Sequence, residues 1–483
     1  MTHKACGQFQ PVFSRRELLR HSGAGFGLLA LQGLLDSQEA RTWAGDNASN
    51  ANPLAVRAPH FSPRAKRVIF LFMHGGPSQV DTFDHKPLLT RDHGKPLPFH
   101  KPRVVSSETG NLLASPWKFQ PYGQSGAWVS ELFPHVAECV DDLCFLHGMH
   151  GSNSRHGGAL LELHTGSDTF VRPSLGSWIG YGLGTENDNL PAFITVCPTL
   201  THGGVNNYSS AFLPTVYHGA ALGNASVPSK LAKIPFIDAR SPAHRQRMEL
   251  DLLRELNADQ LTRSGPDLAL EGRIQAFELA FRMQAAAPEM QDVDSETAST
   301  HRLYGLDDPH TQNFGRQCLM ARRFAERGVR FVQVTHSYKW DQHSGLKKDH
   351  AANAAEVDRP IAGLLRDLKA RGLLNETLVV WGGEFGRTPT AQGDDGRDHN
   401  PHGYTMWLAG GGVKAGFSHG ATDDYGYYAI HDKVHLHDLH ATLLYLLGLD
   451  HKRLTYRHAG RDFRLTDVYG EVVHEIVKSA VVS

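Results

Sequence analysis

Between Thr377 and Val413 the chain gathers carboxylate, guanidinium and imidazole groups into one short span. An apolar run, Leu378 to Trp381, stops at Gly382-Gly383 and releases Glu384 into a loop. Arg387 follows, then Arg397-Asp398-His399-Asn400-Pro401-His402-Gly403, and a second apolar run, Tyr404 to Ala409, closes on three glycines. Carboxylates and imidazoles are the groups that hold divalent cations. A guanidinium matches the nonbridging oxygens of an anionic ester. Read as strand, polar loop, strand, the span places these groups outside the carboxyl ends of strands, where open α/β sheets bind ligands.

Three further stretches carry matching chemistry. The continuous apolar run Arg67 to Met73 has the pattern of a fully buried strand and ends at His74-Gly75-Gly76-Pro77-Ser78. Asp81 and Asp84 follow it, either as ligands or as caps of the turn. A strand over Val329 to Val334 leads to Asp341 and His343, separated by one residue, so in extended chain both point the same way and could share a metal. In Ser152-Asn153-Ser154-Arg155 the polar groups precede a helix starting near His156 or Gly157. N-capping is the cheaper explanation of the two serines; the positive end of the helix dipole would also receive an anionic ester, which makes Ser152 and Ser154 candidate nucleophiles.

The elements that must position these groups are legible from periodicity. The helix Ala354 to Arg371 carries Val357, Ile361, Leu364, Leu365 and Leu368 on one face and joins the Val329–Val334 strand to the one ending at Val380. That unit implies parallel strands and a right-handed crossover. Helical patterns also cover Val129 to Cys139, Arg172 to Gly184, Ala269 to Met283, Asn313 to Arg327 and His437 to Leu447, with short strands at Leu143 to Leu146 and Ala192 to Val196. Cys197 to Leu253 has no strong period and reads as a long loop region roofing the site.

Composition narrows the partners. The chain has 483 residues, 40% hydrophobic and 20% charged, with a formal net charge of −1, so no global field draws it to nucleic acid. Its 30 histidines favour a metal site. The five cysteines form no CxxC pattern and read as buried thiols. Near the start, Ser14-Arg15-Arg16-Glu17-Leu18-Leu19 precedes an apolar segment from Gly23 to Leu35 that is too short to span a bilayer as a mature helix. This looks like a twin-arginine export signal. Residues 1–45 are then signal and linker, the partner is the twin-arginine export machinery, and the destination is periplasmic or extracellular. An uncleaved signal segment would keep the chain at the membrane.

The motifs MHGGPSQVDTFDHKP from Met73, RPSLGSW from Arg172, KWDQH from Lys339, GGEFGRTP from Gly382, GRDHNPHG from Gly396 and HDLHATLLYLLGL from His437 together resemble the DUF1501 family, a distant relation of the alkaline phosphatase/sulfatase superfamily. The resemblance implies an α/β fold, an alkaline phosphatase-like sandwich with a central mostly parallel sheet flanked by helices. It implies one domain over residues 60–483 with a loop-rich insertion at about 197–310. One metal would take Asp341, His343 and His402. A second would take His74 and Glu384, with Phe385 standing where the superfamily has a histidine and His399 as the compensating ligand. The cofactor is one or two divalent ions, Zn, Ca or Mn. Ser154 would be the nucleophile, with direct attack by a metal-activated water as the alternative, and Arg155 or Arg387 would hold the nonbridging oxygens. No cysteine stands at Ser152-Asn153-Ser154 to become formylglycine, which disfavours classical sulfatase chemistry. The implied activity is exported, metal-dependent hydrolysis of a phosphate or sulfate ester on a small molecule or glycan. The alternative is a periplasmic metal-containing binding or scaffold protein without turnover.

Overall fold

The computed structural model describes residues 53–100, 110–235, 237–238, 241–265 and 267–479. The expected export signal lies outside the described residues. No helix among them is long and apolar enough to cross a membrane.

The chain begins its core with β1 (Arg67–Met73), whose seven residues are all buried, as a continuous apolar run requires. β2 (Leu143–His150), α1 (His156–Thr165), α2 (Leu175–Leu183), β3 (Phe193–Val196) and β4 (Ala220–Leu222) follow. Then come α3 (Ala243–Ser264), α4 (Leu268–Gln291), α5 (Gln312–Glu326), β5 (Phe331–His336) and α6 (Leu346–Ala370). The remainder supplies β6 (Thr377–Gly382), β7 (Gly386–Gln392), β8 (Gly396–Asn400), β9 (Tyr404–Gly410), β10 (Phe417–His419), β11 (Val434–His435) and α7 (Leu436–Leu446).

Among the described residues, nine strands form the central sheet, in the order β10-β2-β9-β6-β1-β5-β3-β4, with β11 also on β2. β6, β1, β5, β3 and β4 pair in parallel. β9 runs antiparallel to both its neighbours, β6 and β2. This is the expected α/β architecture, a mostly parallel sheet flanked by helices. The predicted crossover through α6 is parallel as well, but β1 lies between β5 and β6 instead of their pairing directly. That interleaving decides the site. The loops leaving β1, β5 and β6 emerge at one end of the sheet, with the β1 loop in the middle. On the other side of β6, Trp381 and Trp407 face each other across the register at 5.8 Å with nearly parallel rings. Such a pair adds about 0.5–1.5 kcal/mol beyond its area burial.

Three sequence expectations change. The helix expected over Val129 to Cys139 shrinks to Pro134–Ala137, and Val129 and Ser130 belong to a strand, Ala127–Ser130. The supposed loop from Cys197 to Leu253 contains β4 and the start of α3. α3 leaves Met248, Leu252, Leu253 and Leu256 exposed, so it lacks the single apolar stripe that periodicity would detect. The polar loop after Glu384 folds as an antiparallel hairpin, β7 with β8, and every residue of β8 is buried. Its polarity is internal: Arg397 donates to the Asp81 carboxylate (2.6 and 3.1 Å) and to the carbonyls of Thr388 and Leu113. Among the described residues, Cys139, Cys144, Cys197 and Cys318 are buried free thiols, as expected.

Candidate metal centre

His74 leaves β1 fully buried, and the Gly75-Gly76 turn after it has φ of +118° and +84°. A side chain on Gly75 would meet the backbone N of Asp341 at 2.7 Å, and one on Gly76 would meet the Phe385 ring at 2.6 Å. The two glycines therefore let the β1 loop lie directly against the loops carrying Asp341 and Glu384. Glu384, 1% exposed, accepts the Gly75 N–H at 3.0 and 3.2 Å and the His156 Nδ1–H at 2.7 Å. Burial opposes its ionisation, but the His156 hydrogen bond and the neighbouring His74 hold its pKa down at about 2.

Asp341 is the hub. Its Oδ1 lies 3.0 Å from His343 Nε2, 3.1 Å from His399 Nε2 and 3.3 Å from His156 Nε2, while Tyr338 donates to Oδ2 at 2.6 Å. Burial works against its charge; the three histidines gathered on it and the Arg387 guanidinium keep it ionised far below the usual carboxylate range. The other ring nitrogens are spoken for. His399 Nδ1 donates to the Ser154 carbonyl at 2.7 Å, and His343 Nδ1 donates to Gln392 Oε1. The neutral forms of both rings thus present Nε2 as a lone pair, and the two Nε2 atoms are 3.0 Å apart. Burial, with Arg387 and His156 nearby, pulls His399 down to about 4 despite Asp341.

Three acceptors converging at 3.0–3.1 Å require positive charge among them, as a shared proton or a metal cation. Ligand atoms about 2.1 Å from one ion lie about 3–3.4 Å apart, so the spacing suits a metal. His156 adds a buried Nε2 without a hydrogen-bond partner among the described residues, and both ring nitrogens of His74 are in the same condition. Burial lowers the His74 pKa to about 4. Its ring stands 6.1 Å from His156 and 5.6 Å from His202. Three overlapping ligand groups result: His74 with His156 and His202, His156 with Asp341 and His399, and His343 with Asp398 and His399. The donor set of imidazole and carboxylate fits a divalent cation.

Of the residues singled out in the sequence, His74, Asp341, His343, Glu384, Arg387 and His399 come together. His402 does not: it is exposed, against Tyr427 and Tyr428 at ring distances of 6.3 and 5.6 Å, and His399 stands with Asp341 and His343 in its place. Arg387 has a different task from the one expected. It is fully buried and donates to Asp341 Oδ1 (2.6 Å) and to the carbonyls of Gly75, Gly76, Trp340 and Arg397, so its guanidinium is turned to the protein's own acceptors. It positions Asp341. Ser154 contributes its carbonyl to His399, and Arg155, exposed, is the N-cap residue of α1 without a side-chain cap, so the serines do not cap that helix. Ser152 turns to His435 Nε2 at 3.0 Å. Asp81 belongs to Arg397, and Asp84 to Lys86 (3.0 Å) and Thr422; neither is a ligand. Phe385 packs flat on His399 at 4.4 Å and lies 4.9 Å from His156, walling the cluster. His156 and His202 were not recognised as site residues from sequence. The signal at His156 was its place at a helix start beside a polar turn; His202 sits in a loop and offered none.

Residues 65–477 match the family described as protein of unknown function (DUF1501). The chain belongs to the DUF1501 family. No curated protein matches it. Among solved structures it is similar to the lipoteichoic acid synthase LtaP from Listeria monocytogenes, at 10% identity, 86% of this chain, 78% of that chain and a TM-score of 0.36. It is also similar to the PsFucS1 sulfatase from Pseudoalteromonas sp. (13%, 87%, 70%, 0.33) and to the alkaline phosphatase from the Antarctic bacterium TAB5 (10%, 80%, 98%, 0.33). These likenesses are too slight to bear on the chemistry of this DUF1501 chain, which rests on its own side chains.

Proposed function

We propose that this DUF1501 protein is a metal-dependent hydrolase of a phosphate or sulfate ester. The observation that carries the reading is the triangle of Asp341 Oδ1, His343 Nε2 and His399 Nε2, with both Nδ1 atoms already committed to carbonyl oxygens. The triangle is not sealed: the His343 side chain is 30% exposed and Asp341 15%. Structural metal sites are closed, whereas catalytic ones keep an open position.

Asp341, His343 and His399 would hold a divalent cation, with His156 at its edge; His74 and Glu384 would serve a second. Such an ion supplies polarisation of the ester oxygen and an acidified water at neutral pH. The protein's own groups do the rest. Arg387 keeps Asp341 ionised and aimed. Ser154 and Gln392 fix the tautomers and ring planes of His399 and His343, the part that partners of ligating histidines commonly play. Glu384 does the same for His156. In this reading the nucleophile is a water, and Ser154 serves the cluster through its carbonyl on His399 Nδ1. Arg155, exposed one residue before His156, is the cation left to meet nonbridging oxygens. The substrate class is a small-molecule or glycan ester. Export by the twin-arginine machinery to the periplasm or beyond is part of the proposal, supported by Arg15-Arg16 and the apolar segment after them.

Metal analysis of the purified protein, followed by an aryl phosphate and aryl sulfate panel with added Zn, Mn or Ca, tests it. Stoichiometric metal and turnover of one ester class are expected. Metal-free, folded protein that cleaves nothing after reconstitution would end the hydrolase reading. Bound metal without turnover would instead support the second reading, a metal-containing scaffold, which the Phe385 ring packed over His399 and His156 favours.

A further inference from the structure

His202 lies in the loop between β3 and β4, and its backbone stands at φ +50°, in the left-handed region that a non-glycine residue rarely occupies. Such conformations persist where the surroundings impose them, and they gather at functional sites. Asn207, 2% exposed, helps to fix this one by donating to the His202 carbonyl at 3.4 Å. The half-buried His202 ring is thereby laid against His156, stacked at 4.8 Å, and stands edge-on to His74 at 5.6 Å. His74 and His156 are 6.1 Å apart. The Tyr338 ring covers the fourth side, 4.8–5.4 Å from all three.

Three imidazoles on one ion have this spacing. A ring centroid lies about 3.2 Å from a metal that its nitrogen holds at about 2.1 Å, so rings on a shared ion stand about 4.5–6 Å apart. One ring nitrogen from each histidine lies within 4.8 Å of the other two. Four nitrogens of the trio are buried without a hydrogen-bond partner among the described residues: both of His74, Nε2 of His156 and Nδ1 of His202. Buried polar atoms left unmatched are rare and call for an occupant. These four are shut off from water, whereas a bare cation needs far less room. Burial lowers the pKa of His74 and of His202, so both rings offer lone pairs at neutral pH. Glu384 holds the His156 Nδ1–H at 2.7 Å, which leaves Nε2 as the ligand atom. That nitrogen also faces Asp341 Oδ1 at 3.3 Å, but the triangle of Asp341, His343 and His399 is complete without it.

We propose that His74, His156 and His202 form a cation site of nitrogen donors alone, which takes zinc or a neighbouring transition metal and refuses calcium. Imidazole suits those metals, whereas calcium takes an all-oxygen shell. The site deepens the hydrolase reading, in which a second cation has its place. Glu384 serves that ion by orienting His156 and is not its ligand. Tyr338, whose hydroxyl donates to Asp341 Oδ2, walls the site on the side of the first ion.

Elemental analysis of the full chain, stripped with a chelator, reloaded with zinc or calcium and then desalted, tests it. The parent should retain about two zinc ions per chain, and His202→Ala and His202→Asn about one each. Asparagine tolerates the left-handed backbone, so the second variant removes the imidazole without disturbing the loop. His399→Ala should also retain about one, and the double variant His202→Asn, His399→Ala none. Calcium should fill no more than the site at Asp341. Equal zinc in the parent and both His202 variants, or calcium replacing zinc ion for ion, would overturn the site whatever the protein hydrolyses. The expected zinc contents without any ester cleavage would uphold the site and end the hydrolase reading.

Discussion

His343 and His399 turn their Nε2 atoms toward each other at 3.0 Å, and both lie within 3.1 Å of the same Asp341 oxygen. Neither ring has a free choice of tautomer, because a carbonyl oxygen holds each Nδ1–H. Removing either ring should therefore release the cation. His343→Ala and His399→Ala are expected to lose bound metal while keeping the far-ultraviolet circular dichroism of the parent, and His402→Ala is expected to keep its metal. Elemental analysis of the three purified variants decides the matter; metal loss in His402→Ala alone would return that residue to the site.

Arg387 is a structural clamp as much as an electrostatic one. Replacing it with Met leaves the Asp341 carboxylate and the carbonyls of Gly75, Gly76, Trp340 and Arg397 without their donor. Breaking a buried pair in this way costs about 3–5 kcal/mol. Arg387→Lys should recover only a minor part, since an ammonium cannot span donors set in a planar fork. Urea unfolding midpoints of the two variants would measure this, and a wild-type-like Arg387→Lys would contradict it.

Gly75 tolerates no side chain. Alanine there would need φ near +118° and would place Cβ 2.7 Å from the Asp341 backbone. Strain of this kind costs about 1–3 kcal/mol, and the displaced loop carries Asp341 with it. Gly75→Ala should thus lower both stability and metal affinity, read by thermal melting with and without added Zn. A variant that melts lower but binds metal as the parent does would separate the turn from the site.

The buried pair of Asp81 and Arg397 predicts part of the acid limb of stability. Burial opposes ionisation of Asp81, but the Arg397 charge and hydrogen bonds hold its pKa below the ordinary Asp value. A depressed folded pKa contributes stability that is fully present above the unfolded value and is lost as pH falls through the folded one. Below about pH 4, then, the wild type should lose this contribution progressively, and Asp81→Asn, destabilised at neutral pH, should show a flatter acid limb. Urea midpoints between pH 7 and pH 3 would show it; parallel curves for the two proteins would remove Asp81 from the account.

Much of the sheet was legible because its strands are buried on both faces and read as unbroken apolar runs, as Arg67–Met73 does. The β7–β8 hairpin was not, because its polar residues are satisfied inside the protein by Arg387 and Arg397, and a pattern of hydrophobicity carries no record of that pairing. α3 escaped notice for the opposite reason: it exposes apolar side chains that a core helix would bury.

By itself, the sequence determined the chemistry available: which loops leave buried strands with a carboxylate or an imidazole, and that Asp341 and His343 lie close, since two residues apart along the chain is a local relation whether the segment is extended or, as here, turned by the His343 N–H on the Asp341 carbonyl. Only the tertiary structure decided the membership of the site. The place of β1 between β5 and β6 set His74 between Glu384 and Asp341, the α1 N-terminus delivered His156, and the β7–β8 hairpin brought up His399 while His402 stayed outside. Those contacts join residues from 58 to 228 positions apart, and strand order and hairpin register select them, not spacing along the chain.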